Sequence, residues 1–138
     1  MTPQSQTLTV GVSLMRTAIT ITFALLSVTG AQSQTAVRNV ISGNPLKLSF
    51  FNQTNPDCSS RGRSTIRLIR APEHGRVNFR QTADFPSSRS QCHQRRVPGT
   101  AFYYQSQRGF AGMDYVEAEV IFPSGNLTRY SYTINVIP

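Results

Sequence analysis

Two cysteines are the residues of this 138-residue chain whose chemistry is easiest to predict. Cys58 and Cys92 form an even pair, and in an exported protein such a pair normally forms a disulfide. The bridge would close a loop of about 35 residues and stabilise a small domain by roughly 3–4 kcal/mol on the chain-entropy model. Polar residues flank both cysteines, so we expect the bridge to join two loops outside the core. The alternative, a thiol metal site that includes His93, has too few ligands and lacks zinc-finger spacing.

His74 and His93 are the only histidines and are therefore the natural candidates for acid–base catalysis. Nothing in their spacing predicts that they converge with a third polar group. Small basic secreted ribonucleases use His, Glu and Arg, so Glu73, His74 and Arg76 keep a small basic hydrolase as an alternative function. The strand pattern does not match those enzymes, and the nucleophile-elbow, zinc-protease and phosphate-loop motifs are missing. We therefore predict no catalytic residues, no cofactor and no metal site.

Arginine dominates the charge of the chain, which has 14 Lys and Arg (Lys47 is the single lysine) against 6 Asp and Glu. Guanidinium groups bind carboxylates, sulfates and phosphates bidentately, and a cluster of them concentrates polyanions. If the strands Ser64–Arg70 and Arg76–Phe79 pair through the turn at 71–75, their outward residues place several arginines on one face. Further arginines, Arg89 among them, lie in the polar loop at 82–99. The predicted anion-binding residues are Arg63, Arg67, Arg76, Arg80, Arg95 and Arg96.

The alternative for these arginines is a solvated face without a ligand. Aromatic residues do not alternate with the arginines on this predicted face, so stacking of unpaired bases has no support. We therefore expect no nucleic-acid partner.

The first 31 residues have the three parts of an export signal. The run at 17–29 holds thirteen residues without a charge, whereas spanning a bilayer takes about twenty apolar residues. Arg16 precedes the run, and small residues follow it up to Ala31, after which we expect cleavage. Met15 is an alternative start, since residues 1–14 carry no charge. We predict a periplasmic or secreted protein with no transmembrane span after cleavage; the alternative for this segment is a buried amphipathic helix.

After residue 31, apolar and polar residues alternate with a period of two, and no stretch has a helical period. Charged residues make up only 14% of the chain, which argues against a disordered coil, and the length allows one domain, over residues 32–138. We predict an all-β, immunoglobulin-like antiparallel β-sandwich of about seven strands. The predicted strands are Ala36–Ile41, Leu46–Phe51, Ser64–Arg70, Arg76–Phe79, Ala101–Gln105, Tyr115–Phe122 and Thr128–Ile137.

The last two predicted strands have the clearest alternation. Between 115 and 122 the even-numbered residues are apolar and would face the core, whereas Glu117 and Glu119 would face water. Between 128 and 137 the even-numbered residues from Tyr130 onward would face the core. The turn sequence at 123–126, which contains Pro and Gly, predicts that the two strands form an antiparallel hairpin.

Three segments resemble the cadherin-like, immunoglobulin-like repeats of bacterial surface proteins: Pro72-Glu-His-Gly-Arg-Val77, Phe102-Tyr-Tyr104 and Gly109-Phe-Ala-Gly-Met-Asp114. The resemblance covers roughly residues 66–137, interrupted by the loop at 82–99. It implies the same sandwich fold and a turn in which glycines adopt special backbone angles and an aspartate accepts backbone N–H bonds. The turn residues carried by the resemblance are Pro72, Gly75, Gly109, Phe110, Gly112 and Asp114.

The function predicted from these features is that of an exported, non-enzymatic module with a structural or binding role at the cell envelope. The alternatives are a binder of anionic glycan or lipid through the arginine-rich face, and a small basic secreted hydrolase. The expected partners are an anionic envelope polysaccharide, an anionic lipid or another surface protein. Calcium, plausible for some relatives, has no support here because the six carboxylates do not have the spacing of a calcium loop.

Overall fold

The structure, a computed structural model, describes residues 32–138. The predicted export signal lies outside the described residues. Within them, seven strands alternate with loops, and no helix is present. The strands are β1 (Gln32–Ile41), β2 (Pro45–Phe51), β3 (Thr65–Arg70), β4 (Gly75–Asp84), β5 (Val97–Ser106), β6 (Gly112–Ile121) and β7 (Leu127–Ile137).

The strands form two sheets, one of four strands in the order β1-β7-β6-β3 and one of three strands in the order β2-β5-β4. The predicted all-β sandwich is therefore confirmed, and each of the seven predicted strands is present. Most are longer than predicted, but β3 begins one residue later, at Thr65, and β6 ends one residue earlier, at Ile121. The hairpin predicted for the last two strands is also confirmed as β6–β7. Every pairing is antiparallel except that of β1 with β7, which is parallel.

The core lies between the two sheets. Its largest fully buried side chains, Phe102 and Tyr104 from β5 and Ile134 from β7, are 0% exposed. Because side chains of a strand point alternately to its two sides, every second residue of β6 and β7 reaches this core, as the alternation predicts. Burying each such large apolar side chain stabilises the fold by about 1.5–3 kcal/mol relative to leaving it in water.

The hairpin predicted between the strands at 64–70 and 76–79 was wrong. β3 pairs with β6 in the four-stranded sheet, whereas β4 pairs with β5 in the three-stranded sheet. The segment between them directs the backbone N–H groups of Glu73 and His74 to the carboxylate of Asp114, at 2.9 and 3.0 Å. These two hydrogen bonds hold the segment that crosses between the sheets against the start of β6.

The long polar loop predicted at 82–99 is shorter in the structure. Backbone pairing between β4 and β5 continues through Thr82 opposite Gly99 to Asp84 opposite Val97, so the loop covers residues 85–96. The strands extend because ladder hydrogen bonds join backbone groups and do not require apolar side chains.

Glu119 is the residue whose predicted exposure was wrong. It lies on the outer side of β6, as the alternation predicts, but it is only 5% exposed because neighbouring arginine side chains cover it. The opposite departure occurs at the edge strands, where Leu68 and Phe79 remain 38% and 36% exposed although each pairs with a core-facing residue.

None of residues 32–138 belongs to a helix long and apolar enough to cross a membrane.

Candidate functional site

The predicted disulfide between Cys58 and Cys92 is present and joins the β2–β3 loop to the β4–β5 loop. The two Cα atoms are 5.6 Å apart, within the range that disulfides normally have. Cys92 is 1% exposed but does not belong to the main core cluster, so the bridge lies beside the core as expected. Both sulfur atoms are used in the bridge, which removes the alternative of a thiol metal site.

The outer face of the four-stranded sheet has its charges paired. Arg67 on β3 donates to Glu119 on β6 at 2.8 Å, and Arg129 on β7 lies 3.5 Å from the other oxygen of the same carboxylate. Arg129 also lies 3.4 Å from Glu117. At the end of β3, Arg70 lies 3.3 Å from Glu73. The three arginines Arg67, Arg70 and Arg129 are thus matched by three carboxylates.

The outer face of the three-stranded sheet is different. Val77 and Phe79 pack toward the core, so the alternate residues Arg76 and Arg80 of β4 point outward. Arg76 donates to the side-chain oxygen of Gln105 at 2.7 Å, and the Arg80 guanidinium lies 5.5 Å from the centre of the Tyr103 ring. These side chains line a shallow groove of about 400 Å³.

Arg108, in the β5–β6 turn, was missed by the sequence reasoning. It lines a second shallow groove of about 420 Å³ together with Arg76 and the polar residues that end β5. The only signal in the sequence is one arginine in a turn, which is common in surface loops and predicts nothing by itself. We call Arg76, Arg80 and Arg108 the basic face.

The other predicted anion-binding arginines do not join the basic face. Arg67 is on the opposite sheet and paired with Glu119. Arg63 lines a groove of about 480 Å³ at the end of the β4–β5 hairpin that carries the loop at 85–96. Arg96 donates two hydrogen bonds to the carbonyl of Ala83, at 2.6 and 3.1 Å, and Arg95 is exposed in the same loop. The prediction of one face for Arg63, Arg67, Arg76 and Arg80 was wrong because β3 and β4 belong to different sheets.

Among residues 32–138, Lys47 is the one cation beside the basic face that has a carboxylate partner. It is on β2, and its Nζ lies 2.6 Å from Asp84 at the end of β4. The hydrogen bond from Lys47, together with the backbone N–H of Phe85, holds the pKa of Asp84 below its usual value. Lys47 lies opposite Tyr103 in the pairing of β2 with β5, so this pair borders the basic face.

Asp114 organises the opposite end of the sandwich. It is 2% exposed and accepts hydrogen bonds from three backbone N–H groups and from the Tyr104 hydroxyl at 2.9 Å. Burial, followed by the bond to Asp114, raises the pKa of Tyr104. A buried carboxylate with this many donors has its polar atoms satisfied, which describes a structural residue.

The turn residues that the resemblance to cadherin-like repeats predicted lie around Asp114. Phe110 stacks on His74 with ring centres 4.1 Å apart, and Pro72 is half-buried nearby in the β3–β4 crossover. Gly109 and Gly112 have φ angles of 80° and 138°, which side-chain-bearing residues rarely adopt. At the remaining position, Gly75, a Cβ would lie 2.5 Å from the Tyr104 ring, so close packing requires glycine there.

The side chains considered for a hydrolase point in different directions. Glu73 binds Arg70, His74 stacks on Phe110, and Arg76 binds Gln105. His93, the other histidine, contacts the carbonyl of Ser90 through Nδ1 at 2.8 Å. Over residues 32–138, no group of three or more His, Cys, Asp or Glu is placed to hold a metal ion.

Comparisons with known proteins give no family for this chain. No family model matches it, and no curated protein matches it. Among solved structures, the chain is similar, at 11% identity and a TM-score of 0.39, to a structure of PbICP-C in complex with falcipain-2, over 78% of this chain and 91% of that one. It is similar at the same level to a 2,6-sialyltransferase of Vibrionaceae Photobacterium sp. JT-ISH-224, over 79% of this chain and 18% of that one. Likenesses this weak carry no argument about function.

Proposed function

We propose that this chain is an exported, non-enzymatic module that binds acidic polysaccharide of the cell envelope through its basic face. Export is supported by the signal pattern of the first 31 residues and by the disulfide, a bond that persists in oxidising compartments. The resemblance to repeats of bacterial surface proteins supports the envelope as the place of action.

The observation that carries the proposal is the distribution of the six carboxylates. Four of them, Glu73, Asp84, Glu117 and Glu119, pair with cations other than those of the basic face. Asp114 is buried among backbone donors, and Asp57 accepts from Ser59. Among residues 32–138, the guanidinium groups of Arg76, Arg80 and Arg108 therefore have no carboxylate within 4.0 Å.

The arrangement of the basic face favours a polymer over a single small anion. Arg76 and Arg80 are four residues apart on one extended strand, a separation of about 13 Å. A chain with repeated negative groups can contact the two guanidinium groups in succession along the strand. Guanidinium groups already held by Gln105 and Tyr103 also lose less rotational freedom when they bind an anion.

The experiment is retention on immobilised heparin as a function of salt. We expect the full chain to be retained at low ionic strength and released as salt screens the contacts. Replacing Arg76→Gln and Arg80→Gln together should weaken heparin binding by about tenfold, because two charge-assisted contacts are lost.

A matched control removes the same charge elsewhere. The double variant Arg61→Gln/Arg95→Gln changes two exposed loop arginines and should alter binding by less than about twofold, because steering by net charge contributes little to affinity. Equal losses in both double variants would overturn the basic face as the binding surface. Failure of the wild-type chain to bind heparin, with binding instead to anionic lipid vesicles, would replace polysaccharide by a lipid headgroup.

A further inference from the structure

An open groove of about 660 Å³ lies at the end of the sandwich where the disulfide joins the loops. Three half-buried aromatic side chains line it: Phe50, Phe122 and Tyr130. Contacts with the protein interior hold two of these rings in place. The Tyr130 ring packs 4.8 Å from that of buried Phe51, and the Phe50 ring covers Gly99, where a Cβ would lie 2.5 Å from it.

Polar side chains form the rim of the groove. Asn52 follows β2, and Ser87, Ser88 and Arg89 come from the β4–β5 loop, which the disulfide holds in place. None of the lining residues is acidic, and among residues 32–138 the Arg89 guanidinium makes no hydrogen bond or ion pair. The groove therefore combines apolar ring surfaces, neutral hydroxyl and amide groups and one unpaired cation.

We propose that this groove is a saccharide-binding site, with Arg89 binding the carboxylate of an acidic sugar unit. The C–H side of a sugar ring packs against aromatic rings, whose faces carry partial negative charge, while sugar hydroxyls exchange hydrogen bonds with serine and asparagine side chains. A few placed polar groups beside aromatic surface are typical of small-ligand sites. The groove is separate from the basic face and goes beyond it, because the basic face selects only for negative charge.

An acidic peptide is a different occupant of the same groove. An extended peptide gains most of its affinity by adding main-chain hydrogen bonds to a strand edge. The lining of this groove consists mainly of side chains from loops and strand ends, with rings and hydroxyls exposed to the ligand. These observations favour a sugar.

The test uses two probes that differ only at their carboxyl groups, tetragalacturonate and its uncharged methyl ester, each titrated into the full chain by calorimetry. We expect the acid to bind about tenfold more tightly than the ester, because one charge-assisted contact is lost on esterification. In the Arg76→Gln/Arg80→Gln background, where the basic face no longer contributes, Arg89→Gln should remove this preference and leave the affinity for the ester unchanged. Arg89 is exposed, so this variant should melt at the temperature of the wild-type protein.

The aromatic contribution is tested by Phe122→Leu, which keeps an apolar side chain but removes the ring. It should weaken the acid and the ester equally, by several-fold. Phe85→Leu is the matched control, since Phe85 is 54% exposed and does not line the groove, and it should change neither affinity.

Three results would overturn the saccharide site: no binding of either probe, equal affinity of Arg89→Gln and wild type for the acid, or tighter binding of polyglutamate peptide than of tetragalacturonate. In the variant Arg76→Gln/Arg80→Gln, which lacks the basic face, the tighter binding of tetragalacturonate than of its methyl ester should persist. Loss of heparin retention in that variant, with the preference for the acid retained, therefore tests the basic face separately from the groove.

Discussion

On the outer face of the four-stranded sheet, Arg67 and Arg129 share the carboxylate of Glu119, whereas on the three-stranded sheet Arg76 and Arg80 contact a neutral amide and an aromatic ring. The first face uses its charges to join three neighbouring strands, β3, β6 and β7. The second leaves its guanidinium groups without an anionic partner. The same type of side chain thus has different roles on the two faces, because an arginine paired with a carboxylate stabilises the fold whereas an unpaired arginine is available to a ligand.

The two regions also differ in what holds them together. The loops that follow β2 and β4 of the three-stranded sheet are joined by the disulfide, and its β4 and β5 are joined by stacking of Phe79 on Phe102 with ring centres 4.6 Å apart. A covalent bridge and apolar contacts are insensitive to the charge of the face above them. This sheet can therefore carry unpaired arginines without relying on them for stability.

The largest expected effect comes from removing the bridge. Cys58→Ser/Cys92→Ser should lower the free energy of unfolding by roughly 3–4 kcal/mol, because the unfolded chain is released from a closed loop. Urea denaturation measures this. Heparin retention at low temperature should survive, since Arg76 and Arg80 are on a strand and not on the joined loops. A loss of retention in the folded variant would show that the basic face depends on the disulfide.

The next largest effect concerns the outer face of the four-stranded sheet, where the arginines are paired. Glu119→Gln should lower the free energy of unfolding by about 2 kcal/mol, since it removes the charged acceptor of two guanidinium groups at a nearly buried position. Glu73→Gln is the control: that carboxylate is 70% exposed in its pair with Arg70, and its loss should cost less than about 0.5 kcal/mol. Equal costs in the two variants would contradict the structural role assigned to Glu119.

A third variant should leave the arginines on the outer face of the four-stranded sheet without carboxylate partners. Glu117→Gln/Glu119→Gln releases Arg67 and Arg129, and we expect heparin affinity to rise by about threefold, provided that the variant is assayed below its melting temperature. Salt-dependent elution measures the change. Unchanged elution would mean that availability of the guanidinium group is not what separates the two faces.

The strand positions and the outward direction of Arg76 and Arg80 were predictable from sequence, because side-chain alternation is a local property of a strand. The partner of β3 was not, since it depends on Asp114, which binds the crossover from 40 residues away. The burial of Glu119 was unpredictable for a related reason. A carboxylate at an outward position is normally solvated, and only the sheet order brings Arg67 and Arg129 to it.

The smallest expected effect is a pH dependence at the edge of the basic face. Because Lys47 holds the pKa of Asp84 below its ordinary value of 3.8, their pairing contributes stability above that value, and the contribution is lost as pH falls through the lowered pKa. The pair is partly exposed, so Lys47→Met should cost less than about 1 kcal/mol at neutral pH. Urea denaturation should show this difference shrinking as the pH falls below 3.8 and vanishing once Asp84 is protonated, and a cost that persists in strong acid would contradict the assignment.

Mapping the bound polyanion onto the two sheets by NMR tests the comparison most directly. Titration of the ¹⁵N-labelled protein with a heparin tetrasaccharide should shift the backbone and guanidinium signals of β4 and β5, above all those of Arg76, Arg80 and Gln105. The signals of Arg67 and Arg129 should stay in place. Shifts centred on Arg67, Arg129 and β6, with β4 unaffected, would contradict the account.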